Sequence, residues 1–286
     1  MPPETIENAV DFPPFRVPAD WYGSPAPRAT LLLLPALGTA AGYYRPFAEA
    51  LAGRGIQVLV PELPGTGASG PRPSRRADYG YAELVQRYLP AVVALAQARG
   101  GERPVLLAGH SLGAQVAMLG LLHGQTTPAA VVTLAGGLIH YRYWDGAAAA
   151  GVLGMACLVA ALSRLLGYLP GRLVGFGGPQ AGRLMREWSK AIRTGHFPKL
   201  AEATPGRSDV PALTVFYEGD FYTPQRSAAA LAARLDADLQ RLGGDRPGNP
   251  HASWARHPAE TVRCIEGWLA SAGVVPAPPP AAQTGP

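Results

Sequence analysis

Short, wholly apolar segments alternate with longer segments of helical periodicity along most of this 286-residue chain. Thr30–Leu34, Pro104–Ala108 and Ala130–Ala135 are largely apolar runs of the kind found in parallel strands that are covered on both faces. Segments with a helical pattern, Tyr44–Arg54 and Tyr81–Arg99, lie between such runs. A helix that connects two parallel strands makes a right-handed crossover. The alternation of strands and helices therefore predicts an α/β protein with a mostly parallel, doubly wound sheet.

Composition favours one large domain and excludes several classes of protein. Hydrophobic residues make up 48% of the chain and charged residues 16%, against about 25% charged in typical soluble domains. Two cysteines, Cys157 and Cys264, are too few for a disulfide framework or a cysteine-based zinc site. The first residues lack a basic stretch followed by an apolar core, so we expect no secretory signal and a cytoplasmic location.

The charge pattern indicates a small-molecule partner. The net charge is +5, but the basic residues are scattered and form no stripe of the kind that binds nucleic acid. The apolar stretch Gly146–Leu162 is near the lower length limit for a membrane span. We interpret it as a buried or pocket-lining helix and expect no stable membrane span; contact with a membrane surface is the alternative. The sequence leaves the oligomeric state open.

The segment Gly109–Gly113, with the sequence GHSLG, provides a candidate nucleophile in Ser111. The apolar run Val105–Ala108 precedes it and the helical pattern Leu112–Leu122 follows it, which is the context in which a sharp turn lifts a serine hydroxyl above a sheet. We interpret His110 as a turn residue that packs near the site, because neighbours on such a turn point in different directions.

A serine nucleophile needs a base, and the base needs an orienting carboxylate. In this arrangement the acid follows a late strand and the base follows the acid. Asp220 stands just after the apolar run at 213–217, with Glu218 as the alternative acid. His251 lies in a loop before the last helical segment, with His257 as the alternative base.

Acyl chemistry also needs two backbone N–H groups directed at the developing oxyanion. Leu112, next to the nucleophile, provides one in this interpretation. Leu37, in the loop Pro35–Gly42, is the best-placed residue for the other, followed by Gly38. His123, His140 and His196 show no metal-ligand spacing, so we expect neither a metal nor an organic cofactor.

Several motifs together resemble the α/β-hydrolase fold family over about residues 30 to 270. Within it, they are similar to a little-characterised bacterial serine-hydrolase subgroup, although Pro35-Ala36 replaces the His-Gly pair of many members and a single Asp220 stands where many have two acids. The motifs are LPALGT at 34–39, YYRPFA at 43–48, ELPGTGAS at 62–69, GHSLG at 109–113, GYLPG at 167–171 and REW at 186–188.

The resemblance implies an α/β-hydrolase core with a helical cap insertion. Residues 1–29 are expected to form N-terminal edge strands, 30–137 with 210–272 the core, 138–209 the cap and 273–286 a disordered, proline-rich tail. The apolar cap suggests an ester or thioester substrate with an acyl or aromatic part. Candidate substrate contacts are Tyr43, Tyr141, Tyr143, Trp144, Met155 and Trp188.

The sequence therefore predicts a serine hydrolase in which Ser111, His251 and Asp220 form a triad and Leu37 and Leu112 hold the oxyanion. Two alternatives stay open at this point. The same triad could transfer the acyl group to an alcohol or amine, or the chain could be a non-catalytic ligand-binding protein that has kept the fold.

Overall fold

The computed structural model describes residues 8–200, 208–243 and 247–276. Eight strands of these ranges form one sheet and two short strands form a hairpin. The strands are β1 (Ala9–Phe12), β2 (Phe15–Tyr22), β3 (Ala29–Leu34), β4 (Ile56–Pro61), β5 (Val105–His110), β6 (Ala130–Leu134), β7 (Tyr168–Pro170), β8 (Pro179–Ala181), β9 (Ala212–Tyr217) and β10 (Asp238–Leu242). The tail expected to be disordered lies outside the described residues from position 277 onward.

From β3 onward the α-helices of the described ranges lie between successive strands of the sheet or after its last strand, and two of them, with β7 and β8, form the segment between β6 and β9. They are α1 (Arg45–Ala52), α2 (Tyr81–Glu83), α3 (Leu89–Gly100), α4 (Leu112–Leu122), α5 (Gly146–Leu166), α6 (Gly182–Thr194), α7 (Gln225–Leu235), α8 (Pro250–Ser253) and α9 (Ala259–Ser271).

The sheet has the order β1-β2-β4-β3-β5-β6-β9-β10. In the eight-stranded sheet β1 pairs antiparallel with β2, and β2 pairs antiparallel with β4. Every neighbouring pair from β4 across to β10 in the sheet order is parallel. The predicted α/β class with a mostly parallel, doubly wound sheet is confirmed. In this order β3 and β5 are neighbours near the centre, so the loops at their carboxyl ends meet above the middle of the sheet.

Each face of the sheet has its own apolar core, because successive side chains of a strand point to opposite faces. In β3, Leu32 and Leu34 belong to the core beneath α3 and α4, whereas Leu31 and Leu33 belong to the core beneath α1 and α9. All four leucines are fully buried. Such two-sided burial explains why β3 is a continuous apolar run.

The helix expected over Tyr81–Arg99 is interrupted. A π-helical turn at Leu84–Tyr88 separates α2 from α3, and Pro90 stands in the first turn of α3. Proline has no N–H to bond the carbonyl one turn earlier, so the hydrogen-bonding pattern changes before it.

The segment between β6 and β9 forms a second layer above the carboxyl ends of the sheet's strands. In it α5 packs along α6, and β7 and β8 pair as an antiparallel hairpin. By length and composition α5 could cross a membrane, with a mean hydropathy of 1.9, and 28% of its most apolar stretch is buried in the protein. It ends at Gly167, whose left-handed backbone, φ 80°, closes the helix.

Candidate active site

Ser111 occupies a strained turn between β5 and α4. Its φ of 53° and ψ of −109° are unusual for a residue with a side chain. The turn is held because the Ser111 N–H donates to the carbonyl of Leu134, while its own carbonyl accepts from Ala114 in the first turn of α4. The surrounding structure therefore imposes a backbone conformation that presents the Ser111 side chain beyond the end of the strand.

Two glycines make this turn possible. A Cβ atom on Gly109 would lie 2.4 Å from the backbone of Gly113, and one on Gly113 would lie 2.2 Å from the carbonyl oxygen of Leu34. Neither contact is compatible with a side chain. The GHSLG pattern thus reflects close packing of α4 against both β5 and β3.

Asp220 and His251 form a hydrogen-bonded pair at the same end of the sheet. Asp220 Oδ2 lies 2.8 Å from His251 Nδ1, and the Asp220 side chain is fully buried. Its other oxygen accepts from the backbone N–H groups of Tyr222 and Thr223, at 2.8 and 3.1 Å. These two donors fix the carboxylate, and the carboxylate in turn orients the His251 ring through Nδ1. Nε2 is the ring nitrogen that this pair leaves unused.

The alternative acid and base lie elsewhere. Glu218 is half-exposed and pairs with Arg241 at 2.5 Å, and this hydrogen bond lowers the pKa of the Glu218 carboxyl. His257 is exposed and caps the turn after α8 through its backbone N–H. The geometry favours Asp220 and His251 over both.

Leu37 and Leu112, the predicted oxyanion donors, line one cavity together with Ser111 and His251. Among the hydrogen bonds between described residues, none uses the N–H of Leu37 or of Leu112. Leu37 stands in a tight turn from Ala36 to Thr39. The two N–H groups are thus available to an acceptor in the cavity.

His110 connects the turn after β3 with the short helix α8 through hydrogen bonds to Tyr44 and His251. Its Nε2 lies 2.8 Å from the carbonyl oxygen of His251, and its Nδ1 lies 2.8 Å from the hydroxyl of Tyr44. A carbonyl only accepts, so Nε2 carries the proton and Nδ1 accepts from Tyr44. The same hydroxyl accepts from the N–H of Ala36 at 2.8 Å.

Burial, and secondarily the nearby His251, lowers the pKa of His110 well below its ordinary value. His110 is therefore neutral and fixed in one tautomer. The carbonyl of His251 also accepts from the indole N–H of Trp254 at 3.1 Å. Through Tyr44 and His110, the turn that carries Leu37 and the short helix α8, which carries His251, are held at a set separation.

The cavity measures about 220 Å³. Its apolar wall includes Ile139, Phe176 and Trp188, all from the segment between β6 and β9. Polar side chains from the core also line it, including Gln115, whose oxygen accepts from the Tyr81 hydroxyl at 2.6 Å. The arrangement can hold a mostly apolar molecule against a serine hydroxyl.

Of the six predicted substrate contacts, Trp188 is among the residues that line this cavity. The Tyr43 hydroxyl donates to the carbonyl of Ala252. The remaining four lie in the inserted segment behind the lining: Tyr141, Trp144 and Met155 pack around its small cores, and Tyr143 stacks edge-on with His140.

Several lining residues were not predicted. Gln115 lies in the first turn of α4, where its N–H donates to the carbonyl of Ser111 at 3.3 Å, and this position directly after the nucleophile could have identified it. Phe176 lies in a glycine-rich loop without periodicity, and no sequence signal points to it. No group of three or more His, Cys, Asp or Glu side chains suited to a metal occurs among the described residues.

A family model described as the alpha/beta hydrolase family matches residues 31–264 of the chain. The match runs from β3 into α9, so it includes the turn at Ser111 and the loops of Asp220 and His251. A comparison with curated proteins gives no significant match.

Solved structures with the same fold include two lipases and the protein Est1E. The chain resembles a soluble variant of monoglyceride lipase from Saccharomyces cerevisiae in complex with a substrate analogue, with a TM-score of 0.69 and 12% identity over 93% of this chain and 94% of that one. The chain also resembles the monoacylglycerol lipase of Paleococcus ferrophilus, with a TM-score of 0.61 and 20% identity over 89% of this chain and 98% of that one. For Est1E of Butyrivibrio proteoclasticus with bound ferulic acid, the TM-score is 0.62 and the identity is 16% over 92% of this chain and 99% of that one. At these identities the likeness establishes the shared fold.

Proposed function

The chain belongs to the alpha/beta hydrolase family, and on that premise we propose that it is a serine hydrolase for carboxylic esters or thioesters with an apolar acyl or aromatic part. One observation carries the proposal. A strained serine, Ser111, shares a cavity with His251, which a buried carboxylate orients at 2.8 Å.

In the proposed reaction, His251 Nε2 takes the proton from the Ser111 hydroxyl as its oxygen attacks the substrate carbonyl. Asp220 stabilises the imidazolium that forms, since its carboxylate accepts from Nδ1. The N–H groups of Leu37 and Leu112 stabilise the negative oxygen of the tetrahedral intermediate. When the carbon–oxygen or carbon–sulfur bond breaks, His251 returns the proton to the leaving alcohol or thiol.

Water then cleaves the acyl-enzyme with the same groups. His251 takes a proton from the water as it attacks, and gives it to Ser111 when the acid product leaves. A neutral, buried His110 supports this cycle because it adds no second positive charge beside the imidazolium. The proposal needs no metal or organic cofactor.

The cavity supports a substrate of moderate size. We propose that the segment between β6 and β9, predicted as the cap over 138–209, closes the acyl side of the site. A cavity of about 150 Å³ is enough to hold a benzene ring, so about 220 Å³ accommodates an aromatic ring or a medium acyl chain. Monoacylglycerols and feruloyl esters, suggested by the named neighbours, are therefore suitable test substrates. The cytoplasmic location stays a prediction.

The test is labelling with a fluorophosphonate probe, followed by assays on p-nitrophenyl esters of increasing chain length. We expect Ser111→Ala to abolish labelling, and His251→Ala and Asp220→Asn to lower kcat about 10³-fold or more. His257→Ala and Glu218→Gln are matched controls that should retain activity. A folded wild-type protein that neither reacts with the probe nor cleaves any ester would contradict the proposal.

A further inference from the structure

The inserted segment carries an unusual charge distribution. From position 146 to position 186 the sequence contains no Asp or Glu and four arginines. Two of these, Arg183 and Arg186, pair with Glu83 and Asp78 of the core. The other two, at positions 164 and 172, are exposed near the end of α5.

The outward face of α5 is apolar. Its exposed positions recur at the three- and four-residue spacing of one helix face, and they are Ala147, Ala150, Gly151, Gly154, Cys157, Leu158, Ala161, Arg164 and Leu165, besides Gly146 at the start. Leu158 is 51% exposed and Leu165 is 71% exposed. Leu173, in the turn that follows β7, is 81% exposed. Leu158 and Leu165, seven positions apart, thus project from the same side of α5, and Leu173 is exposed in the turn after the next strand.

The opposite face of α5 fixes how the helix lies. Val152, Ala156 and Val159 are buried, and Val159 packs with Phe176 and Trp188, which line the cavity. The helix therefore lies along the protein, with its buried side one layer from the cavity. In this position it can rest in the plane of a surface, and it cannot cross a bilayer without leaving its core.

Basic groups surround the C-terminal end of this face. Arg75 donates to the carbonyl of Leu165, and Arg164 and Arg172 are its exposed neighbours along the chain. No ion pair between described residues involves any of these three arginines. These arginines would repel the same arginines on a second copy, and they complement a negatively charged surface.

We propose that the exposed face of α5, with Leu173, binds the surface of an anionic phospholipid bilayer. The leucines enter the boundary between headgroups and acyl chains, and the arginines contact lipid phosphates. This inference goes beyond the proposed chemistry and does not depend on it. It places the cavity beside the lipid phase, where apolar esters concentrate.

The test uses Ser111→Ala protein, so that binding is measured without turnover. We expect it to sediment with vesicles of phosphatidylglycerol and phosphatidylcholine, and much less with phosphatidylcholine alone or at high salt. A Leu158→Ser, Leu165→Ser variant should bind about tenfold more weakly, since each side chain loses apolar area that the lipid would cover. Leu239→Ser, a 37% exposed leucine on β10, is the matched control and should bind like the parent.

Cys157 gives a second readout on the same face. It is exposed, whereas burial raises the pKa of the Cys264 thiol and slows its reaction. An environment-sensitive fluorophore on Cys157, in a Cys264→Ala background, should shift to the blue when anionic vesicles are added.

Three results would overturn the proposal: no sedimentation at any lipid concentration, equal binding by the leucine variant, or no fluorescence shift. A dimer in solution that the leucine variant converts to monomer would instead identify a second copy as the occupant of this face. None of these results would affect labelling of Ser111, so the two proposals fail separately.

Discussion

At the residue scale, the hydroxyl of Tyr44 has two buried partners whose positions matter to the site. It accepts from the Ala36 N–H, one residue before the predicted oxyanion donor Leu37, and it donates to His110. His110 in turn holds the carbonyl of His251. Tyr44 itself is fully buried and does not line the cavity, so its influence on the reaction would pass through the positions of other groups.

We therefore predict that Tyr44→Phe lowers kcat about tenfold while KM changes little, because the pocket wall is intact and the N–H of Leu37 and the ring of His251 lose their fixed separation. Leaving a buried donor and acceptor unpaired should also lower the free energy of unfolding by about 1–3 kcal/mol. Ester kinetics and urea unfolding measure the two effects. Tyr22→Phe is the control, since that hydroxyl reaches Asp20 at 3.4 Å; unchanged kcat and stability in Tyr44→Phe would disprove the positioning role.

At the element scale, the loop after β3 and the loop before β8 come into close backbone contact at Gly38. Gly38 has a φ of 70°, and a Cβ atom there would lie 2.2 Å from the carbonyl oxygen of Phe176. Phe176 is also fixed by Gln180, whose amide donates to that carbonyl at 2.9 Å. The predicted oxyanion turn and the cavity wall are therefore packed against each other through their backbones.

Gly38→Ala should displace one of these loops. The positive φ alone costs about 1–2 kcal/mol for a residue with a side chain, and the contact with Phe176 adds to it. We expect a large decrease in kcat with weaker fluorophosphonate labelling. Gly42→Ala provides the comparison in the same region, since a Cβ atom there meets nothing within 4 Å; equal activity of the two variants would show that the contact is unimportant.

Local sequence pattern predicts the helices and strands, but it does not predict which residues line the cavity. The bounds predicted for α4, Leu112–Leu122, are confirmed without change, because a continuous apolar segment begins directly after the GHSLG turn. The order of loops after parallel strands makes Asp220 and His251 candidates for one site, and their side chains lie 2.8 Å apart. By contrast, the bridge from Tyr44 to His110 spans 66 positions, and the approach of Phe176 to Gly38 depends on how the inserted segment docks, which periodicity does not encode.

At the scale of the whole molecule, the buried His110 makes stability depend on pH. Burial lowers its pKa well below 6.5 in the folded protein, so below that pH the unfolded chain binds more protons than the folded one. The stabilisation from neutral His110 is present above about pH 6.5 and is lost as the pH falls toward the lower folded value. Burial raises the pKa of Glu62 and Glu187, and their contributions have the opposite sign.

The test compares how steeply the free energy of unfolding changes with pH in different variants. The contributions of Glu62 and Glu187 are shared by the variants and cancel in this comparison. Free energies of unfolding in urea should fall with acidification by up to about 1.4 kcal/mol per pH unit more in the parent than in His110→Asn. His257→Asn, at an exposed position, should follow the parent. Parallel curves for the parent and His110→Asn would show that His110 does not remain neutral on folding.

The contact between Gly38 and Phe176 has a consequence for protein engineering. A designer who replaces the segment between β6 and β9 with that of a relative, in order to change substrate range, would place the cuts at the ends of those two strands. Residue 38 lies outside both cuts, nearly a hundred positions before the first, yet it must match the incoming loop. The exchangeable unit is therefore discontinuous in sequence, and we expect a graft that leaves out the turn after β3 to displace Leu37, the predicted oxyanion donor.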